Sequence, residues 1–181
     1  SCNTYFCTVY KRVIEKYNTP QQGIDNWRGH LTSFGLGNYL GYDLPVGSKG
    51  KIPSSKTYNA KYPNNNWYAT ATISNAIGQG EVLLTPIQMA NFTAAIANRG
   101  WWVRPHMIKN IQDHDTIAKA FEYKNKTSID PKYFEPIIEG MHDVYRDGTA
   151  SFLKIPDIEI CGKTGTAENF KKINGSVKQL T

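Results

Sequence analysis

The 181 residues are 40% hydrophobic and 12% aromatic, a globular composition with room for one domain or part of a larger one. The net charge of +6 comes from scattered bases with only short clusters such as Lys171-Lys172, so a basic soluble surface is expected and nucleic acid is not expected as a partner. Three cysteines without a CxxC and four histidines without ligand spacing argue against a disulfide framework and a zinc site, and no apolar run reaches the roughly 18 residues of a bilayer span. Cys2, Cys7 and Cys161 are expected as buried small hydrophobes.

In chain order, Tyr5, Phe6, Val9, Tyr10, Val13, Ile14 and Tyr17 recur at helical spacing, which predicts a helix over residues 4–17 ended by Asn18 and Pro20. Ile24, Trp27, Leu31 and Phe34 predict a second helix, stopped by Gly35 and Gly37. Residues 41–67 are dense in proline, glycine and asparagine and read as a long surface connection. Gly78-Gln79-Gly80-Glu81 is a turn. Thr85-Pro86-Ile87-Gln88 is a capping box with proline at the first helical position, opening a small-residue helix that Gly100 stops. Trp101 to Pro105 reads as a short extended segment. Asp130-Pro131 looks like a helix start, Pro136 begins or kinks the main helix, and Gly148 closes it. Residues 171–181 are expected as a polar turn and the start of a strand.

Ile155, Ile158 and Ile160 alternate ahead of Cys161-Gly162-Lys163-Thr164-Gly165-Thr166. That pattern predicts a strand over 155–167 delivering a cation and hydroxyls to an active-site edge. The rival reading of Gly162-Lys163-Thr164 as the end of a phosphate-binding loop needs glycine where the chain has Asp157, and a carboxylate there repels phosphate. The chain opens on Ser1-Cys2-Asn3. Serine-x-asparagine together with lysine-threonine-glycine is the paired signature of serine penicillin-interacting enzymes.

With these motifs stand Ile77 to Ala90, Ala97-Asn98-Arg99-Gly100, Asp147-Gly148-Thr149-Ala150 and Gly162 to Asn169. On those residues the chain resembles the class B penicillin-binding proteins, most of all their elongation-specific peptidoglycan D,D-transpeptidase branch. The resemblance implies an α/β fold of the α+β type: a mostly helical lobe plus the lysine-motif strand of an antiparallel sheet. It implies that residues 1–181 are a partial transpeptidase domain. The Ser-x-x-Lys nucleophile region precedes them in the family and is not expected within the chain, and the last strands and C-terminal helix follow.

The implied reaction is cross-linking of stem peptides ending in D-Ala-D-Ala through an acyl-serine intermediate, with β-lactams as mimics of that dipeptide. Ser1 would relay a proton and Asn3 would hold the substrate amide. Lys163 would supply fixed positive charge, and Thr164 and Thr166 would bind the terminal carboxylate. Gly165 would give the substrate backbone room. Read without the resemblance, Asn3 is a helix cap, and Gln79 and Glu81 order a turn. No cofactor or metal is implied. The implied partners are the stem peptides, β-lactams and elongation-machinery membrane proteins. The implied location of the intact protein is the bacterial inner membrane, with the catalytic part in the periplasm. A β-lactamase or β-lactam sensor of the same fold is the enzyme alternative, and a non-catalytic interaction fragment is the other; the chain alone is expected to be inactive.

Overall fold

In the computed structural model the described residues are all but 1, 42, 44, 108–120, 166–168, 174–175 and 181, and the paired segments at 169–173 and 176–180 are described by their backbone only. The chain divides into two compact units, Ser1–Glu135 and Pro136–Thr181. Both are built of helices with short antiparallel pairings, so the α+β class stands.

The first unit begins with α1 (Asn3–Glu15) and α2 (Pro20–Ser33). Proline can open α2 because the first turn of a helix has amides without partners, and the Thr19 side chain accepts from the Gln22 amide at 3.2 Å. The two helices touch at Gly23, where a Cβ would lie 2.2 Å from the Ile14 carbonyl oxygen. Only glycine permits that approach. Tyr10, Ile14, Ile24, Tyr58, Trp67 and Ala69 are buried together around this crossing, with Trp27 and Ile73 against them. The rest of the α1 stripe is not covered: Tyr5, Phe6, Val9 and Val13 are exposed.

The expected surface connection at 41–67 is instead partly core. Ile52, Pro53, Tyr58 and Trp67 within it are buried, and it holds the short helix α3 (Ser55–Asn59). Asp25 on α2 fixes that helix, accepting from the Ser55 amide at 2.8 Å and the Ser55 hydroxyl at 2.6 Å. A carboxylate suits the free amides of a helix start. A 3-10 helix, Ala69–Ile77, ends at Gly78 in the left-handed region. It carries a buried polar chain: Tyr10 OH donates to Thr72 Oγ1 at 3.1 Å, Thr72 donates to the Ala69 carbonyl at 2.8 Å, and Asn75 Nδ2 donates to the hydroxyls of Tyr10 and Tyr58 at 3.3 and 2.9 Å. Burial pushes both phenols up, Tyr58 to about 12.

Helix α4 (Pro86–Ala97) starts on the expected capping box. Its end is a Schellman turn: the Gly100 amide bonds the Ala95 carbonyl at 2.8 Å and the Arg99 amide bonds Ile96 at 3.0 Å. The residue in the left-handed conformation at the turn is Arg99, φ 57°, where glycine is usual, and its side chain pairs with Glu135 at 2.7 Å. Gly100 follows at φ 99°, and a Cβ there would meet Phe134 at 2.9 Å. β1 (Trp101–Trp102) pairs antiparallel with β2 (Asn125–Lys126), Trp101 opposite Lys126. The end of α2 is closed by Trp102, whose Nε1 donates to Ser33 O at 2.9 Å, and by Asn91, whose Nδ2 donates to Phe34 O at 2.9 Å.

The second unit holds α5 (Glu135–Arg146) from Pro136 onward, with proline one residue inside its start, and a 3-10 turn at Ser151–Leu153. β3 (Asn169–Ile173) and β4 (Ser176–Leu180) form an antiparallel pair, Ile173 opposite Ser176. The strand expected over 155–167 does not form over its described part. Ile155 and Ile158 bridge each other across a tight turn with Asp157 at φ 62°, and residues 159–165 join no ladder. A strand exists only by pairing, and no described segment pairs with this one. The cysteines also depart from expectation: Cys2 and Cys161 are exposed and Cys7 is half-buried. Cys2 and Cys161 sit beside motifs, and Cys7 shares the covered face of α1 with Tyr10 and Ile14 without joining the core.

Candidate active site

Asn3 is the first residue of α1, in the first unit, and its side chain is exposed. The residue before it, Cys2, occupies the cap position, and no side chain caps the helix. The Cys2 carbonyl accepts from the amides of Tyr5 at 3.1 Å and Phe6 at 3.4 Å. The amide group of Asn3 is therefore not engaged at the helix end, contrary to the capping alternative. Ser1 and Thr166 lie outside the described residues.

Lys163, Thr164 and Gly165 lie in the second unit on an exposed loop that follows the Asp157 turn. The Lys163 ammonium donates to the Thr164 carbonyl at 2.6 Å and has no carboxylate partner among the described residues. Its charge is thus not neutralised within the loop. Gly162 anchors the segment: its amide donates to the Met141 carbonyl at 3.0 Å, and a Cβ at Gly162 would lie 2.8 Å from Cε2 of Tyr145. Beside this anchor is a cavity of about 160 Å³, lined by His142, Tyr145, Lys154, Ile155 and Glu159 among others.

The Ser-x-x-Lys spacing does recur in the chain, against the expectation of its absence, at Ser48–Lys51 and Ser151–Lys154. Neither has the make-up of a nucleophile with a free base. Ser48 Oγ accepts from the Gly50 amide at 3.3 Å on a loop, and Lys51 is held by Glu81 at 2.7 Å. Ser151 opens a single 3-10 turn that ends before Lys154, downstream of Ser1-x-Asn3 and not ahead of it.

The Gly78–Ala90 block forms a brace in the first unit. Glu81 takes Lys51 on one carboxylate oxygen and Lys61 on the other. The hydrogen bond from Lys51, then that from Lys61, holds its carboxyl below the usual range. Lys51 and Leu83 bridge, with Leu83 N donating to Lys51 O at 2.9 Å. Gln88, 1% exposed, accepts from the Thr85 amide at 3.0 Å and donates to the carbonyls of Asn38 and Lys49, each at 2.9 Å. Gly50, φ 59°, fits only without a side chain, since a Cβ would lie 2.4 Å from Leu83 O and 2.6 Å from Gln88 Oε1. Sequence reasoning found the capping box and the ordering role of Glu81. It missed the second job of Gln88, and it missed the contacts that the Met141 carbonyl and the Tyr145 ring make with Gly162, which no motif marks. Among the described residues no three His, Cys, Asp or Glu side chains are grouped to hold a metal ion.

The family model for the penicillin binding protein transpeptidase domain matches residues 1–180. The peptidoglycan D,D-transpeptidase MrdA of Acinetobacter baumannii is 33% identical over 93% of this chain and 24% of that protein. Penicillin-binding protein H of Bacillus subtilis is 32% identical over 94% of this chain and 24% of its own length. Among solved structures, the penicillin-binding protein PBP2 of Helicobacter pylori, in a complex with MreC, superposes with a TM-score of 0.70 at 26% identity, over 92% of this chain and 29% of that one. A chain of a peptidoglycan synthase complex that couples polymerization and crosslinking gives 0.68 at 30% identity, over 93% and 26%. This chain spans about a quarter of the length of the curated relatives it matches. A match running from the asparagine motif at one end through the Lys163 loop at the other leaves one conclusion: the chain belongs to the penicillin-binding protein transpeptidase domain family.

Proposed function

We propose that this chain is part of a serine-type peptidoglycan D,D-transpeptidase that cross-links stem peptides during cell elongation, and that the intact protein is a target of β-lactams. The observation that carries the reading is the Lys163-Thr164-Gly165 loop, exposed and with its ammonium unpaired by any described carboxylate, on a chain matched along residues 1–180. A free, fixed cation at an open loop suits a carboxylate-bearing substrate and a developing oxyanion. In this reading the acyl group of the penultimate D-alanine passes to a serine supplied outside these 181 residues, and the terminal D-alanine leaves. An amine of a neighbouring stem peptide then takes the acyl group and frees the serine. Lys163, Thr164 and Thr166 bind the terminal carboxylate, Gly165 leaves room for the peptide backbone, Asn3 holds the substrate amide, and Ser1 relays the proton to the leaving nitrogen. The names of the relatives support a transpeptidase over a β-lactamase or a sensor. In this reading the intact protein sits at the bacterial inner membrane, with its catalytic part in the periplasm and membrane proteins of the elongation machinery as partners, and residues 1–181 are a partial domain; the names of the cell-wall relatives support it. The test is labelling of the full-length protein by a fluorescent penicillin, with and without Lys163→Ala. The expected result is a stoichiometric adduct on the parent and a strong loss of acylation rate in the variant with its melting temperature kept. A variant that acylates within about twofold of the parent, less than about 0.5 kcal/mol of barrier, removes Lys163 from the site.

A further inference from the structure

Asn3 opens α1, and Tyr10 stands on the same face two turns further on, about 10.5 Å along the helix axis. There the helix meets a buried polar chain whose order is fixed. Thr72 gives its hydroxyl hydrogen to the Ala69 carbonyl at 2.8 Å, so toward Tyr10 it can only accept, at 3.1 Å. Tyr10, its own hydrogen engaged, accepts from Asn75 Nδ2 at 3.3 Å. The same Asn75 nitrogen donates to the Tyr58 hydroxyl at 2.9 Å. Tyr58 lies on α3, which Asp25 of α2 holds through Ser55. One side-chain amide thus ties α1 to a frame on which α2 also bears, and Tyr10, Tyr58, Thr72 and Asn75 are all buried. Apolar packing around Ile14 and Ile24 chooses the inward face of α1, but it is non-directional and tolerates small slides. A chain of buried hydrogen bonds does not, because a slip leaves donors and acceptors unpaired away from water.

We propose that Asn75, with Thr72, is a positioning residue for Asn3: by holding the Tyr10 hydroxyl it fixes the rotation and the axial height of α1, and with them the place where the first residue of that helix presents its amide group. A helix is stiff over two turns, so what is set at Tyr10 is set at Asn3. Neither Asn75 nor Thr72 touches substrate. The proposal rests on the reading of Asn3 as the residue that holds the substrate amide. It also gives a reason for a tyrosine, and not a phenylalanine, on the buried stripe of α1.

The experiment compares two acylating agents on the full-length protein. Benzylpenicillin carries a side-chain amide for Asn3 to hold; 6-aminopenicillanic acid has the same rings and carboxylate without it. Each is timed by competition against a fluorescent penicillin, and the ratio of the two acylation rate constants is the readout. Tyr10→Phe and Asn75→Leu are expected to lower that ratio about fivefold or more, because a small misplacement of a binding group is that costly. Asn3→Ala is expected to lower it at least as much. Gln88→Leu weakens the same unit elsewhere and is expected to keep the ratio within about twofold of the parent, whatever its melting temperature. If Asn3→Ala lowers the ratio while Tyr10→Phe and Asn75→Leu keep it, the positioning role is wrong and the Asn3 reading stands. If Asn3→Ala keeps the parental ratio, the Asn3 reading has failed and the proposal falls with it. If Gln88→Leu lowers the ratio as far as Asn75→Leu does, the readout follows stability alone and the proposal is overturned. Should Asn75→Leu not fold, Tyr10→Phe, which keeps the ring in the core, decides by itself, and a parental ratio for it is equally fatal.

Discussion

Gln88→Leu tests whether the brace before α4 holds the first unit together. Leucine has a similar volume, so the change removes hydrogen bonds and leaves little cavity behind. Gln88 makes three through its amide, with Thr85 N at 3.0 Å and with the carbonyls of Asn38 and Lys49 at 2.9 Å each, and it is 1% exposed. At about 1 kcal/mol net for each bond, the loss is about 3 kcal/mol. A larger figure is not expected, because Asn38 and Lys49 are exposed residues whose carbonyls water can partly satisfy. Single domains have about 5–15 kcal/mol in total, so the change removes a large share. Urea denaturation of the dilute chain, followed by circular dichroism, should show the midpoint fall by about 1–3 M, given slopes of about 1–3 kcal/mol per molar. A loss below about 1 kcal/mol would show that the loops at 38 and 49 are held by something other than this amide.

Other outcomes follow from the same structure. The chain by itself should take no covalent label from a fluorescent penicillin, since Lys51 is held by Glu81 and Ser151 sits on a single 3-10 turn that ends before Lys154; a boiling-resistant adduct would reverse that assignment. Glu81 is held below its ordinary value of 4.5 by Lys51 and Lys61, so the stability it contributes is present above that pH and is lost as pH falls through the lowered value. Glu81→Gln should lack that acid limb, and superimposable stability profiles for variant and parent would refute the linkage. Tyr5, Phe6, Val9 and Val13 on α1 and Phe152, which is 80% exposed, should make the chain self-associate or melt at low temperature. A dilute monomer in the ultracentrifuge with a sharp melt above about 65 °C would contradict this.

The helices were legible because their signals are local. Thr85-Pro86 and Gln88 form a cap from neighbours in sequence, and Ile24, Trp27 and Leu31 mark one face of α2 by spacing alone. What was not legible depends on distant partners. Trp67 and Tyr58 are core residues in a segment whose prolines and asparagines announce loops, and their burial rests on α1 and α2. Gln88, Asn91, Thr72 and Asn75 are polar by type and buried by circumstance, each used to satisfy groups that the sequence does not place nearby. Arg99 stands in a conformation that the following glycine advertises for itself. The alternation around Ile158 promised a strand, but a ladder needs a neighbour, and the local turn at Asp157 prevailed in its absence. At the candidate site the sequence pointed to Asn3 and Lys163 by motif; the ring beneath Gly162 comes from a helix about seventeen residues earlier and has no motif to betray it.

The hydrogen bond from Tyr10 to Thr72 spans 62 positions. A ribosome adds about 5–20 residues per second, so α1 is made roughly 3–12 s before the segment that covers it exists. Throughout that interval Tyr10 and Ile14 are bare, alongside the neighbours on α1 that stay bare afterwards. Translation thus leaves a sticky cylinder at α1 and closes only half of it later. The burden on holding factors falls on α1, and slowing translation between positions 20 and 69 would lengthen the exposure without altering the finished protein.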